Sequence, residues 1–147
     1  MEQTTSQKIL DIAQSLVVAG GYNGFSFADI SGAVGIRKAS IHHHFPTKIE
    51  LVRTLVEQYA QKAASALEAV RSNVPAPVDQ LKAYTGYWQT CIRDGSQPFC
   101  VCAMLASEME ILPKEVAAEV QVSFPKPVRL AGHGAGGRRG AGAVPPR

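Results

Sequence analysis

The chain has 147 residues, 46% of them apolar, with three cysteines and a formal net charge of +3. That length and apolar share suffice for one domain with a real core, or for a small head with a partial second unit, folding without disulfides. An odd cysteine count and the lack of an amino-terminal secretion signal point to a reducing cytoplasm, and no apolar stretch approaches the ~20 residues of a membrane helix, so none is expected.

From Thr4 to Ala19, the apolar residues Ile9, Ile12, Ala13, Leu16 and Val17 recur at helical steps, predicting an amphipathic helix that Thr4, Thr5 or Ser6 can cap. Gly20-Gly21 ends it. Tyr22 to Phe25 is a short connection, and Ser26 caps a second helix running to about Val34, with Asp29 near its positive end. Gly35 breaks that helix, a third spans about Lys38 to His44, and Pro46 cannot continue it.

Thr47 caps a long fourth helix, roughly Lys48 to Arg71, with Leu51, Leu55, Tyr59, Ala63, Ala66, Leu67 and Val70 expected to face inward. Two prolines within Ser72 to Pro77 stop it. A fifth helix, Val78 to Arg93, places Leu81, Tyr84, Trp88, Cys91 and Ile92 on one side. A sixth is expected from near Pro98 to about Leu112, and a seventh from Lys114 to Phe124, opened by Pro113. Residues 125–147 hold six glycines, four prolines, five basic residues and no acid, a composition expected to give a disordered basic tail. No alternating strand pattern competes, so the fold class is all-α.

Bulk charge is no argument for nucleic-acid binding, because residues 1–50 carry four basic and four acidic side chains and residues 51–124 carry six and eight. The case rests on placement. Two short helices joined by a tight turn and backed by a longer one form a helix-turn-helix, which presents its second helix to a major groove ~12 Å wide. Phe27, Ile30, Val34, Ile36, Ile41 and Phe45 are its inward positions, while Arg37, Lys38, Ser40, His42, His43 and His44 face outward without acids among them.

The run from Ser26 to Lys48, with Phe45-Pro46-Thr47-Lys48 its most diagnostic part, resembles the helix-turn-helix signature of TetR/AcrR transcriptional regulators. Ile9-Leu10-Asp11-Ile12-Ala13 and Gly20-Gly21-Tyr22 are similar to the family's first helix and its exit, so the resemblance covers about residues 5–52. It implies that Lys48 contacts backbone phosphate and that Ser26 donates to a phosphate from the start of the second helix. Lys38, Ala39, Ser40 and His43 would approach base edges or phosphates. His42 stands where the family usually has tyrosine, which shortens its reach. The implied architecture is a helix-turn-helix head at 1–50 and a partial helical effector and dimerisation domain at 51–124, followed by the tail.

Three consecutive histidines do not make a metal site, because successive helical side chains point about 100° apart. Glu108 and Glu110, two apart on a helix, do not face each other as a catalytic pair would. No catalytic set, metal or cofactor is expected, and the chain reads as a regulator, not an enzyme. Its implied partners are a palindromic operator in double-stranded DNA, a small-molecule effector and a second copy of itself. Against that last expectation, the composition switch after Phe124 reads as a truncated or frameshifted end that predicts weak self-association.

Tyr84, Tyr87, Trp88 and Met104 are the candidates for lining an effector pocket, with plain core packing as the alternative. Phe99 to Glu108 resembles a segment of family members that sense electrophiles or oxidants through cysteine. Cys100 would then sit in the first turn of the sixth helix, where the dipole favours a thiolate. On a helix, Cys102 would point about 200° away from it and could not be its partner.

Overall fold

The computed structural model describes residues 3–95 and 99–124, all helical or in connecting turns. α1 spans Thr5–Gly20, a 3-10 turn Tyr22–Gly24, α2 Phe27–Val34, α3 Lys38–His44, α4 Lys48–Asn73, α5 Pro77–Asp94, α6 Val101–Ala106 and α7 Lys114–Ser123. Among the described residues, no helix is long and apolar enough to cross a membrane. The tail expected at residues 125–147 lies outside the described residues.

Local chemistry sets the helix ends in the first third. The Thr4 hydroxyl accepts the Gln7 N–H at 3.3 Å, and the Thr47 hydroxyl accepts that of Glu50 at 3.1 Å, so each satisfies an N–H that the first helical turn leaves unpaired. Gly35 closes α2 in the left-handed conformation at φ 76°, and its N–H returns to the Ser31 carbonyl at 3.0 Å. The Ser31 hydroxyl then donates to the Ile36 carbonyl at 2.6 Å, which holds the turn between α2 and α3.

Ile9, Ala13 and Val17 of α1 meet Ile30, Ile41, Phe45, Leu51 and Val52 in one buried cluster. Truncating Ile30 or Ile41, both fully buried, would cost about 2–5 kcal/mol each. The same cluster runs on through Val101, Leu105, Val116 and Val120, because α6 packs on α1 and α7 packs on α4. α6 and α7 are thus built onto the back of the head.

Two expectations fail in the later helices. Beyond Tyr59, α4 buries none of its expected inward residues: Ala63, Ala66 and Leu67 are exposed and Val70 is half-buried. On α5 only Cys91 is buried, whereas Leu81 is 63% and Ile92 62% exposed. Among the described residues, α5 packs on α4, and Leu81, Tyr84 and Ile92 of the stripe that periodicity assigned to a core are exposed. The sixth helix is also shorter than expected. The Ser107 N–H bonds both the Ala103 and Met104 carbonyls at 3.2 Å and its hydroxyl bonds Met104 again at 2.6 Å, ending α6 at Ala106.

Candidate nucleic-acid interface

α3 is held by Ile41 and by Phe45 just past its end, both buried, while Phe27, Val34 and Ile36 pack half-buried against the same core. Those anchors turn the opposite face outward, so that Arg37, Lys38, Ala39, Ser40, His42, His43 and His44 are all exposed. Arg37 is the N-cap residue of α3. The rings of His43 and His44 meet edge-on at 5.6 Å.

Beside α3 lies an open cleft of about 410 Å³ lined by Ser26, Lys38, His42, Thr47 and Lys48 over a floor that includes Phe25 and Phe27. His42 is held at its rim. Its ring meets Phe27 edge-on at 4.8 Å, and its Nδ1 stands 3.2 Å from the Pro46 carbonyl oxygen. That bond requires the proton on Nδ1, which leaves Nε2 to face outward.

Lys48, the first residue of α4, bends back over this cleft. Its Nζ donates to the Phe25 carbonyl and lies 4.1 Å from the Phe25 ring centre and 4.8 Å from that of Tyr22. Burial lowers the pKa of its ammonium group, while the charges of Asp29 and Glu108 oppose that shift. The cation is thus held at the cleft by a carbonyl and two aromatic rings.

Ser26 caps α2 as expected, accepting the Ala28 N–H at 3.2 Å while its own N–H bonds Asp29 Oδ2 at 2.7 Å. Its hydroxyl hydrogen, however, goes to the same Asp29 oxygen, also at 2.7 Å. These bonds from Ser26 hold the Asp29 carboxyl below its usual pKa. The hydroxyl expected to donate to a phosphate is therefore committed to Asp29 here, and Lys48 and Lys38 carry the positive charge at the cleft.

The candidates in the later helices are brought together only in part: the Tyr87 ring meets that of Trp88 edge-on at 5.5 Å, and Tyr87 is near enough to Cys91 and Cys100 for both to raise its pKa, after burial. Tyr84 and Tyr87 are exposed on α5, Trp88 and Met104 are half-buried, and neither this cleft nor a second, lined by Gln7, Gln58, Gln61, Lys62 and Ser65, includes any of them.

Cys100 differs from its expected setting in a consequential way. It is the N-cap of α6 in extended conformation, one residue before the helix, so helical angles do not separate it from Cys102. The two thiols hydrogen-bond each other, and the Tyr59 hydroxyl also bonds Cys100. Donation from Cys102 is the main cause that pulls the Cys100 thiol well below the ordinary range, and the same bond with burial pushes Cys102 up. Cys100 is half-buried and Cys102 buried.

Residues 9–55 match the family described as bacterial regulatory proteins, tetR family. The helix-turn-helix and the helix before it are thus similar to the DNA-binding head of that family. A TetR-family transcriptional regulator of Agrobacterium tumefaciens, of known crystal structure, is 53% identical with a TM-score of 0.79, over 81% of this chain and 63% of that one. The HTH-type transcriptional regulator CymR of Pseudomonas putida is 34% identical over 71 residues, 46% of this chain and 35% of its own length. The biofilm operon icaADBC HTH-type negative transcriptional regulator IcaR of Staphylococcus epidermidis is 44% identical over 50 residues, 34% of this chain and 27% of its own. The chain spans about a third of the length of these curated relatives.

The TetR-family match ends inside α4, so Cys100, Cys102 and Glu108 lie outside it. Glu108, which no sequence motif assigns to the head, reaches it: its Oε2 accepts the Tyr22 N–H at 2.8 Å. A Cβ at Gly21 would overlap the Glu108 carboxylate, so the glycine leaves it room.

Proposed function

We propose that this chain is a cytoplasmic transcriptional repressor that binds double-stranded DNA through α2, α3 and the start of α4. As a homodimer it reads a palindromic operator, two recognition helices being held ~34 Å apart on one DNA face, and a small-molecule effector releases it. The observation that carries this reading is the convergence of Lys38, His42 and Lys48 on one cleft beside the acid-free outer face of α3. The match of residues 9–55 to the tetR family and the names of CymR and IcaR, the latter a negative regulator, support it.

Electrophoretic shift with the DNA upstream of the chain's own gene tests this reading. Retardation that survives an excess of unrelated duplex is the expected result. Retardation that unrelated duplex removes equally well would contradict sequence-specific regulation.

A second reading concerns only the input signal. The bonded Cys100, Cys102 and Tyr59 groups favour release by an electrophile or oxidant acting on the Cys100 thiolate. A mild electrophile should then weaken DNA binding by the parent chain and leave Cys100→Ser unaffected. Equal responses would remove this input.

A further inference from the structure

Glu108 lies in the turn that follows α6, fixed there by backbone bonds from its N–H to the Leu105 carbonyl at 3.0 Å and from the Ile111 and Leu112 N–H groups to its own carbonyl at 2.9 and 3.2 Å. Its side chain leaves that turn and crosses to the head, where Oε2 accepts the Tyr22 N–H at 2.8 Å in a part-buried setting. Gly21, buried and at φ 72°, makes room for the carboxylate. Tyr22 is itself buried, and its ring is part of the aromatic shelf on which the Lys48 ammonium group rests.

These contacts form one continuous series: α6, Glu108, the Tyr22 backbone, the Tyr22 ring, the Lys48 ammonium group. We infer that Glu108 is a positioning residue for Lys48, fixing the Tyr22 shelf from outside the head and so coupling the end of α6 to the phosphate-facing cleft. The inference rests on the DNA-binding reading proposed above. A tether that only held α6 to the head would affect stability without depending on Lys48, which is the distinction a double-mutant cycle measures.

The test uses the full chain and a fluorescent duplex of random sequence, since a phosphate contact needs no particular operator. Affinity is measured for the parent, Glu108→Ala, Lys48→Ala and the double variant, with circular dichroism confirming the helical fold. The expected result is a roughly fivefold loss on Glu108→Ala when Lys48 is present, and less than ~1.5-fold when Lys48 is already alanine, the non-additivity of directly coupled residues. Glu108→Gln keeps a side-chain oxygen for the Tyr22 N–H and should stay within about twofold of the parent. Should Glu108→Ala not fold, Glu108→Asp, one methylene short of the Tyr22 amide, takes its place in the cycle. Equal losses in both Lys48 backgrounds, or no loss in either, would overturn the inference while leaving DNA binding by the parent intact. A parent chain that binds no duplex would sink the DNA reading and this inference with it.

Discussion

The Lys48 ammonium group sits 4.1 Å from the centre of the Phe25 ring and donates to the Phe25 carbonyl, so the cation at the start of α4 is held by the segment that leads into α2. Both elements flank the cleft beside α3, and whatever moves one moves the charge the other presents.

Lys48→Ala is expected to weaken binding to all duplexes alike, by up to about tenfold, and to lower the slope of log affinity against log salt by ~0.9, the value for one phosphate contact. Ser40→Ala and His43→Ala, on the exposed face of α3, should instead change sequence preference, by ~1–3 kcal/mol at one base pair. Anisotropy titrations over a salt series with several duplexes separate the two behaviours. A Lys48→Ala effect confined to one sequence would show that the motif has been mapped wrongly.

Glycines at three turns should rank by their surroundings. Gly21→Ala adds a strained φ of 72° to overlap with the Glu108 carboxylate and is expected to destabilise by about 2–3 kcal/mol. Gly35→Ala has a similar φ but open space, so about 1 kcal/mol is expected. Gly24→Ala has neither problem and should fall within ~0.5 kcal/mol of the parent. Urea unfolding of the three variants checks the order, and a Gly21 variant as stable as the Gly24 one would contradict the packing around Glu108.

Cys100 should alkylate readily at pH 6, where an ordinary thiol of pKa ~8.5 is almost wholly protonated. The sign follows from the donor: Cys102 stabilises the thiolate, so Cys102→Ala removes that bond and raises the Cys100 pKa toward the ordinary value. At pH 6 the variant should therefore react several-fold more slowly, with the difference closing as pH rises through the ordinary thiol range. Iodoacetamide labelling followed by mass spectrometry reads this directly. Identical pH profiles would show that the two thiols are not partners.

The head was legible in the sequence because its signals are local. Thr4, Ser26 and Thr47 announce helix starts, and Gly35 and Pro46 announce stops, within a few residues of the bonds that satisfy them. The later helices were less legible, for a physical reason visible at Leu67 and Leu81. Periodicity tells which side chains share a face, but it does not say whether anything covers that face. The placement of Cys100 was not legible, because a shift of the α6 start to Val101 takes it off the helical wheel and brings it to Cys102. No spacing rule could pair Glu108 with Tyr22, since the two stand 86 residues apart and meet only through tertiary packing.

Selection of bound duplexes from a random pool by the full chain tests most directly whether α2 and α3 form a sequence-reading DNA interface. The expected result is enrichment of one motif with inverted-repeat symmetry, its half-sites ~34 Å or one helical turn apart, and loss of that enrichment on Ser40→Ala with His43→Ala. A pool that stays random after repeated rounds, with binding set by salt alone, would contradict it.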